Sequence, residues 1–482
     1  MKRNSFVLSV VCALFLVLTA CAGSMQVDPQ KLARLNLPKT TKAMDRMHDT
    51  IAAKADGRLY AGAAIVDIST RLASDGSLYL GGFDMGRKSK GVRDPVYAHA
   101  LYLDDGKTPF VLVTLDTIGY MNDDSKEARA LITDRFANNI VIAAIHNHVG
   151  PDTVGYWGPA IGGFLPISSG RVPEYMEAVK TLIASAVDQA AASAKPARLR
   201  FGQGTVDPDL SLNIHKQIRK QKDDVVRVLT VEGEDGSAIA TVANWGCHVE
   251  AMWNDNKLSA DWAGVFYKRM QKDVGGVPLF IEGALGGLVT INPGDAKMAL
   301  EPEIMEVFLK HMNEAERVAL MNKVGNAFAD AVQSVVKNSN APVGPQGITL
   351  YSAHKSFLVQ ENNWIFEYMG NRGLIKREIQ TVGGKSMLAT EITVLQLRNG
   401  TEVLADFASV PGEPAPPVVA EIDATSDAPV KFTISLGNDE IGYIVRESDW
   451  ELPQYEYERT MSLGKPTGTL ILSVIKELRD SL

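Results

Sequence analysis

The stretch Ile140-Val141-Ile142-Ala143-Ala144-Ile145-His146-Asn147-His148-Val149-Gly150-Pro151 decides how the rest of the chain is read. Its six leading apolar residues predict a buried strand. Gly150-Pro151 breaks the run, so His146 and His148 stand at the strand's exit, where open α/β sheets tend to build their sites. Side chains two apart on a strand share a face, which predicts that both imidazoles point the same way. Imidazole is the commonest protein ligand for zinc, so the pair is a candidate metal centre. The plain alternative is two satisfied histidines at a strand end.

Outward from this stretch the pattern alternates. Residues 124–136 read as a helix before the strand, and 97–103 with 110–115 as a hairpin around Asp104-Asp105-Gly106-Lys107. Apolar positions at helical spacing mark 173–194. Further strands are expected at 239–245, 277–281 and 403–410, with helices over 301–337 and 468–482. Repeats and low-complexity linkers are absent, and the only internal seam is 342–345. Hairpins mixed with strand–helix alternation predict an α/β fold, a single large mixed-sheet domain with flanking helices.

The 482 residues are 45% hydrophobic and 22% charged, ordinary for a globular protein, and a net charge of -8 gives no footprint for nucleic acid. Lys2 and Arg3 precede an apolar stretch over 6–18 that is too short to span a bilayer comfortably. It ends in Leu18-Thr19-Ala20-Cys21, which looks like a bacterial lipobox; an ordinary secretory signal is the alternative. Residues 1–20 are therefore read as a lipoprotein signal peptide, and 21–60 as a lipidated Cys21 with a tether and short helix. Residues 61–482 are read as one domain, the fold proper. Ala22 and Gly23 lack the aspartate linked to inner-membrane retention, so an outer-membrane anchor facing the periplasm is expected. Cys247 is then alone in the mature domain, and stability must come from core burial rather than disulfides.

Other predicted strands also run into reactive loops. Asn244-Trp245-Gly246-Cys247-His248-Val249-Glu250 follows one, Glu282-Gly283-Ala284-Leu285-Gly286-Gly287 another, and Pro411-Gly412-Glu413-Pro414 a third. Exits on one sheet edge converge, so these loops can meet the histidine pair and complete a zinc site. Each has a bland reading: His248 as an interior histidine, Glu413 as a solvated loop carboxylate, and Asp104-Asp105 as a solvated turn. The glycines lack a following Lys-Ser/Thr, which rejects a P-loop, and neither Gly-x-Ser-x-Gly nor His-Glu-x-x-His occurs. His248-Val249-Glu250 imitates a deaminase signature without its paired cysteines.

Together these segments resemble the neutral ceramidase family, zinc-dependent amidases that cut the amide of ceramide. The family's His-x-His-Ser-Gly-Pro is matched by His146-Asn147-His148-Val149-Gly150-Pro151, and its second histidine loop by Asn244-Trp245-Gly246-Cys247-His248 with Leu258-Ser259-Ala260-Asp261. Its Pro-Gly-Glu is matched by Pro411-Gly412-Glu413, and its late tyrosine segment by Asn438-Asp439-Glu440-Ile441-Gly442-Tyr443, with Gln454-Tyr455-Glu456 beyond. The resemblance implies that His146, His248, Glu413 and Tyr443 hold Zn2+. It makes His148 a catalytic neighbour for the oxyanion or for protons, and Tyr455 a polar contact to the tetrahedral intermediate. Asp261 becomes a partner that fixes a ligand's tautomer.

The departures shape the expected mechanism. Alignment on Gly286-Gly287-Leu288 puts Val289 where the family has a serine, with Thr290 beside it. An alkyl side chain cannot attack or orient, so metal-activated water is the expected nucleophile, with Glu250 as general base or else a surface carboxylate. The family's Asn-Arg segment reads Asn213-Ile214-His215, and the immunoglobulin-like C-terminal domain of larger ceramidases is not expected within these residues. The expected function is zinc-dependent hydrolysis of a carboxamide, in ceramide or another N-acyl amide. The alternatives are an altered metal- or ligand-binding lipoprotein and a zinc esterase or amidase on a non-lipid substrate. Tyr156, Trp157 and Phe164 are candidates to line an apolar pocket.

Overall fold

Two sheets packed face to face, each covered on its outer face by helices, account for residues 26–294 and 311–482, which the computed structural model describes. The signal peptide and Cys21 lie outside the described residues. The first sheet contains β1 (Tyr60–Asp67), β2 (Tyr97–Asp104), β3 (Pro109–Leu115), β4 (Ile140–Ala144), β5 (Lys195–Thr205), β6 (Val225–Gly233), β7 (Ala238–Trp245) and β8 (Val277–Glu282), in the order β8-β7-β6-β5-β1-β2-β3-β4. The β3/β4 and β7/β8 pairs are parallel and the others antiparallel. The sheet is the large mixed one expected.

The second sheet was not legible as a separate layer. It runs β9 (Ile348–Gln360), β10 (Lys385–Asn399), β11 (Glu402–Ser409), β12 (Val430–Ile434), with β11 and β12 parallel. Alternation along each strand divides the residues between layers. On β2, Ala98, Ala100 and Tyr102 face the helix α3 (Pro173–Ala192). Leu101 and Leu103 face the second sheet, where Leu397, Phe407 and Phe432 meet them. Phe407 and Phe432 stack at 4.2 Å between the sheets, and burial of each such ring contributes roughly 1.5–3 kcal/mol.

The helical layers follow the same logic. α1 (Ala43–Lys54), α2 (Asn122–Ile132) and α3 cover the β1–β4 half of the first sheet. α4 (Asp261–Asp273) and α5 (Glu314–Asn338) cover the β6–β7 half. α7 (Pro416–Asp423) and α8 (Thr467–Asp480) cover the second sheet, while α6 (Trp364–Asn371) packs beside the site described below. The short helix expected in the tether is α1, and it docks rather than hanging free: Met44 and Ile51 are buried, and the Ala43 amide bonds Asp188 at 2.7 Å. The seam at 342–345 leads from α5 into the second sheet and is itself paired, Val343 to Leu199. Asp104, expected to be solvated, is fully buried, with His48 Nδ1 at 3.0 Å and the Tyr102 hydroxyl on its carboxylate. Among the described residues no helix is long and apolar enough to cross a membrane.

One closure matters for the site. β4 and β8 are the two opposite edges of the first sheet, yet it curls until β8 approaches β2, β3 and β4. The loop after β12 fills the seam. Ser435 donates its amide to Glu282 O at 2.9 Å on the β8 side. Asn438 donates its own amide to Ile142 O at 2.7 Å and accepts the Ile142 amide at 2.8 Å on the β4 side. Exits of strands that are distant in sheet order therefore open into one place.

Candidate active site

β4 ends at Ala144, and His146 takes a left-handed φ of 55°. The shared-face argument for the two histidines therefore fails, because neither sits on the strand. A non-glycine residue in this conformation is held there by its surroundings. The Asn147 amide donates to Thr117 O at 3.0 Å and the His148 amide to Val249 O at 3.0 Å, tying the loop to the second histidine loop. The Asn147 side chain adds donations to Ser259 O at 2.7 Å and Asp116 O at 3.2 Å. The result brings three imidazoles together, with ring centroids 4.8 Å apart for His146–His148, 4.9 Å for His146–His248 and 5.4 Å for His148–His248.

Two of these rings are oriented by backbone carbonyls. His146 Nδ1 donates to Ile118 O at 2.8 Å, and His248 Nδ1 donates to Val289 O at 2.8 Å. A carbonyl can only accept, so each Nδ1 carries the proton and each Nε2 faces inward. Both Nε2 atoms meet Glu413 Oε2, at 3.3 Å from His146 and 3.5 Å from His248. Glu413, expected by default to be solvated, is buried, and it pairs with Tyr443 in a short parallel bridge, the two histidines and the tyrosine together holding its carboxyl below the ordinary value against burial. Gly286 permits this approach, since a Cβ there would lie 2.3 Å from Glu413 O.

Burial pushes His146 down to about 4, against the pull of Glu413. Burial also acts on His248, but the contact with Glu413 and the charges of Glu250 and Glu413 outweigh it and raise this ring. Burial holds His148 well below the ordinary histidine range, with its two histidine neighbours adding to the effect.

His148 has a different environment. Its Nδ1 lies 3.3 Å from Glu250 Oε2, and neither ring nitrogen completes a hydrogen bond. Glu250 is buried rather than a surface carboxylate, and the Thr290 hydroxyl donates to its Oε1. A hydroxyl thus stands beside this cluster one residue after Val289, whose own side chain is fully buried outside the cavity. Gly82 sits against the ring, where a Cβ would come within 2.6 Å of His148 Cβ.

Two expected residues are placed elsewhere. Asp261 touches no histidine; it accepts the Met252 amide at 2.7 Å and the Trp262 amide, holding the loop after His248. Tautomer fixing falls to the carbonyls of Ile118 and Val289. Tyr455 turns away from the cavity and donates to Gln221 Oε1 at 3.1 Å, while Tyr457 lines the cavity with its ring 5.9 Å from Tyr443. The two tyrosines flank the start of the helix Glu456–Thr460, where residues two apart point in nearly opposite directions. The sequence reading does not single out Glu440, yet its carboxylate, His146 and Glu413 offer ligand atoms within 4.8 Å of one another. Its position in Asp439-Glu440-x-x-Tyr443 was the available signal.

His146, His148 and Glu413 stand on the wall of a cavity lined mostly by apolar side chains such as Ile118, Met121, Trp157, Phe366 and Met369. Tyr156 and Trp157 line it as expected, whereas Phe164 is 59% exposed and does not. The donor set fits a metal. Ligand atoms of His146, His148 and His248 lie within 4.8 Å of one another. His248 Nε2 and Glu413 Oε2 are buried without hydrogen-bond partners, a costly arrangement that a cation relieves. Imidazole nitrogen with carboxylate oxygen is a donor set that suits zinc. Only His146 and His248 come within ion-pair distance of Glu413, which separates them from His148.

No family model matches the sequence, and no curated protein sequence matches it either. Solved structures do. The chain shares the fold of the neutral ceramidases. It is similar to the neutral ceramidase from Pseudomonas aeruginosa, with a TM-score of 0.67, 16% identity, and coverage of 89% of this chain and 75% of that one. A second structure, a ceramidase complexed with C2, gives a TM-score of 0.64 at 16% identity, covering 89% and 76% of the two chains.

Proposed function

We propose that this protein is a zinc-dependent amidohydrolase that cleaves the carboxamide of ceramide or another N-acyl lipid. The observation that carries the reading is the meeting of His146 Nε2, His248 Nε2 and Glu413 Oε2 beside Tyr443, where His146, Glu413 and Tyr443 line a largely apolar cavity. A zinc ion held by these residues supplies Lewis-acid polarisation of the amide carbonyl and acidifies water to a pKa of about 7.

The chain's own groups do the rest. Apolar walls receive the hydrocarbon and exclude bulk water, which strengthens every polar contact inside. Glu250, held by Thr290, faces His148 Nδ1 and orients the ring, leaving Nε2 to take a proton from water and pass it to the departing amine nitrogen. The hydroxyl of Tyr457 on the cavity wall is a donor for the developing oxyanion. Secretion through the 1–20 signal and lipidation of Cys21, on the periplasmic side of the outer membrane, belong to the same proposal, since such a tether holds the cavity near membrane-derived substrate. Loss of fatty-acid labelling in Cys21→Ser is the check on that part.

The deciding experiment is a hydrolysis panel of ceramides, N-acyl amino acids, anilides and esters, each with and without a chelator. Chelator-sensitive turnover of amides is expected. Absence of such turnover on every substrate would reject the hydrolase reading in favour of a binding protein.

A further inference from the structure

One carboxylate on the cavity wall takes no part in the chemistry above. Glu361 follows β9 and is only 5% exposed. Its Oε1 accepts the Asn363 amide at 2.6 Å, but its Oε2 is buried without any hydrogen-bond partner. The residue lines the cavity among Phe366, Met369, Leu388 and Leu463, and it belongs to neither cluster of ligand atoms at the histidines. A buried acceptor without a donor costs about 1–3 kcal/mol, so native folds rarely keep one unless something else satisfies it.

The cationic side chain on the same wall is already engaged. Arg377 is the one lysine or arginine among the described lining residues, and Asp439 already holds it through two contacts, Nη1 to Oδ2 at 3.0 Å and Nη2 to Oδ1. Arg377 Nη2 donates further to Glu440 O at 3.1 Å. Glu361 Oε2 is thus an acceptor without a donor on a largely apolar wall.

We infer that Glu361 is a recognition subsite for a hydrogen-bond donor, a hydroxyl or ammonium group carried by the substrate away from its scissile amide. The cavity then selects amides bearing such a group over purely hydrocarbon ones. A site built to bond a donor rejects the analogue that lacks it, because the acceptor is left unpaired. Burial, opposed by the Asn363 amide and by Arg377, holds the Glu361 carboxyl up at about 7. This inference rests on the amide-hydrolase reading for the identity of the ligand, and its test does not depend on turnover.

The full chain is titrated calorimetrically with N-butyl-, N-hexyl- and N-octylacetamide and with their ω-hydroxy and ω-amino derivatives. At one chain length or more, a derivative should bind about 10-fold or more tightly than its methyl-ended parent. Glu361→Leu should abolish that advantage without weakening the parent. Glu361→Gln keeps an acceptor but no charge, so it should retain the hydroxyl advantage and lose the ammonium one. Should Glu361→Leu fail to fold, the Glu361→Gln split decides by itself. Wild-type protein that does not discriminate at any length, or variants that discriminate as wild type does, would overturn the subsite. Binding preference without amide turnover would reject the hydrolase reading alone, and turnover without preference would reject the subsite alone.

Discussion

The carbonyl of Val289 accepts two hydrogen bonds from His248, from its amide at 3.0 Å and from its Nδ1 at 2.8 Å. The residue that stands where a serine was expected acts through its backbone, and it fixes which nitrogen of His248 faces Glu413. Its side chain is fully buried in a short strand pair with Ser211–Asn213. Val289→Ser should therefore leave zinc stoichiometry intact and create no ceramide turnover, while burying a hydroxyl and losing methyl contacts costs about 1–3 kcal/mol. Elemental analysis, a ceramide assay and urea unfolding read the three effects; a gain in ceramide hydrolysis would mean that the valine side chain sets specificity.

Thr290 is the hydroxyl that matters. Thr290→Val leaves Glu250 Oε1 unpaired in a buried place, a cost of about 1–3 kcal/mol. His148 loses its fixed partner, so kcat should drop about 10-fold or more with KM little changed. Thr290→Ser should restore most of the rate. Equal rates for the valine and serine variants would show that the hydroxyl does not matter.

Removal of metal by chelation should lower thermal stability, and added zinc should restore it, by about 2.7 kcal/mol at a hundredfold excess over Kd. His146→Ala and His248→Ala should abolish the zinc-induced rise in Tm. His148→Ala should keep that rise and lose roughly 10²- to 10⁴-fold in kcat. A His148→Ala protein unable to bind zinc would make this histidine a ligand.

Gly82 has φ +100° and lies against His148. Gly82→Ala puts a methyl where His148 Cβ stands and strains the backbone, at about 1–3 kcal/mol. The ring must shift, and a displacement of this kind can cost about 100-fold in rate. Circular dichroism with steady-state kinetics separates a folded, slow enzyme from an unfolded one; unchanged kcat would show that His148 need not hold its position.

Asp116 supplies a pH dependence of stability. Burial, only partly offset by bonds from the Tyr97 amide and the Tyr267 hydroxyl, holds its carboxyl at about 8. The unfolded chain releases this proton near pH 3.9. Between about pH 4 and pH 8 the folded protein keeps a proton that the unfolded chain has lost, so stability falls as pH rises through that window and levels off above it. Relative to Asp116→Asn, the wild type should lose up to about 1.4 kcal/mol per pH unit there. Parallel urea-unfolding curves for the two proteins across the range would contradict the buried proton.

Local sequence pattern was enough to place the strands that feed the site and most of the residue types at their exits. Apolar runs such as 140–145 and 239–245 are local signals of burial, and the hairpin of β2 and β3 was visible in its turn residues. Motif order then singled out His146, His248, Glu413 and Tyr443, and those residues do meet. How they meet depends on long-range packing. The second sheet and the curl that brings β8 toward β4 are long-range pairings that no local pattern encodes. The left-handed turn at His146 and the carbonyls of Ile118 and Val289 depend on which backbone groups distant loops bring face to face, and the helix starting at Glu456 puts Tyr457 rather than Tyr455 on the cavity wall. Periodicity reports which side chains are buried, but it cannot report which buried polar atoms find a partner and which, like Glu361 Oε2, are left waiting for one.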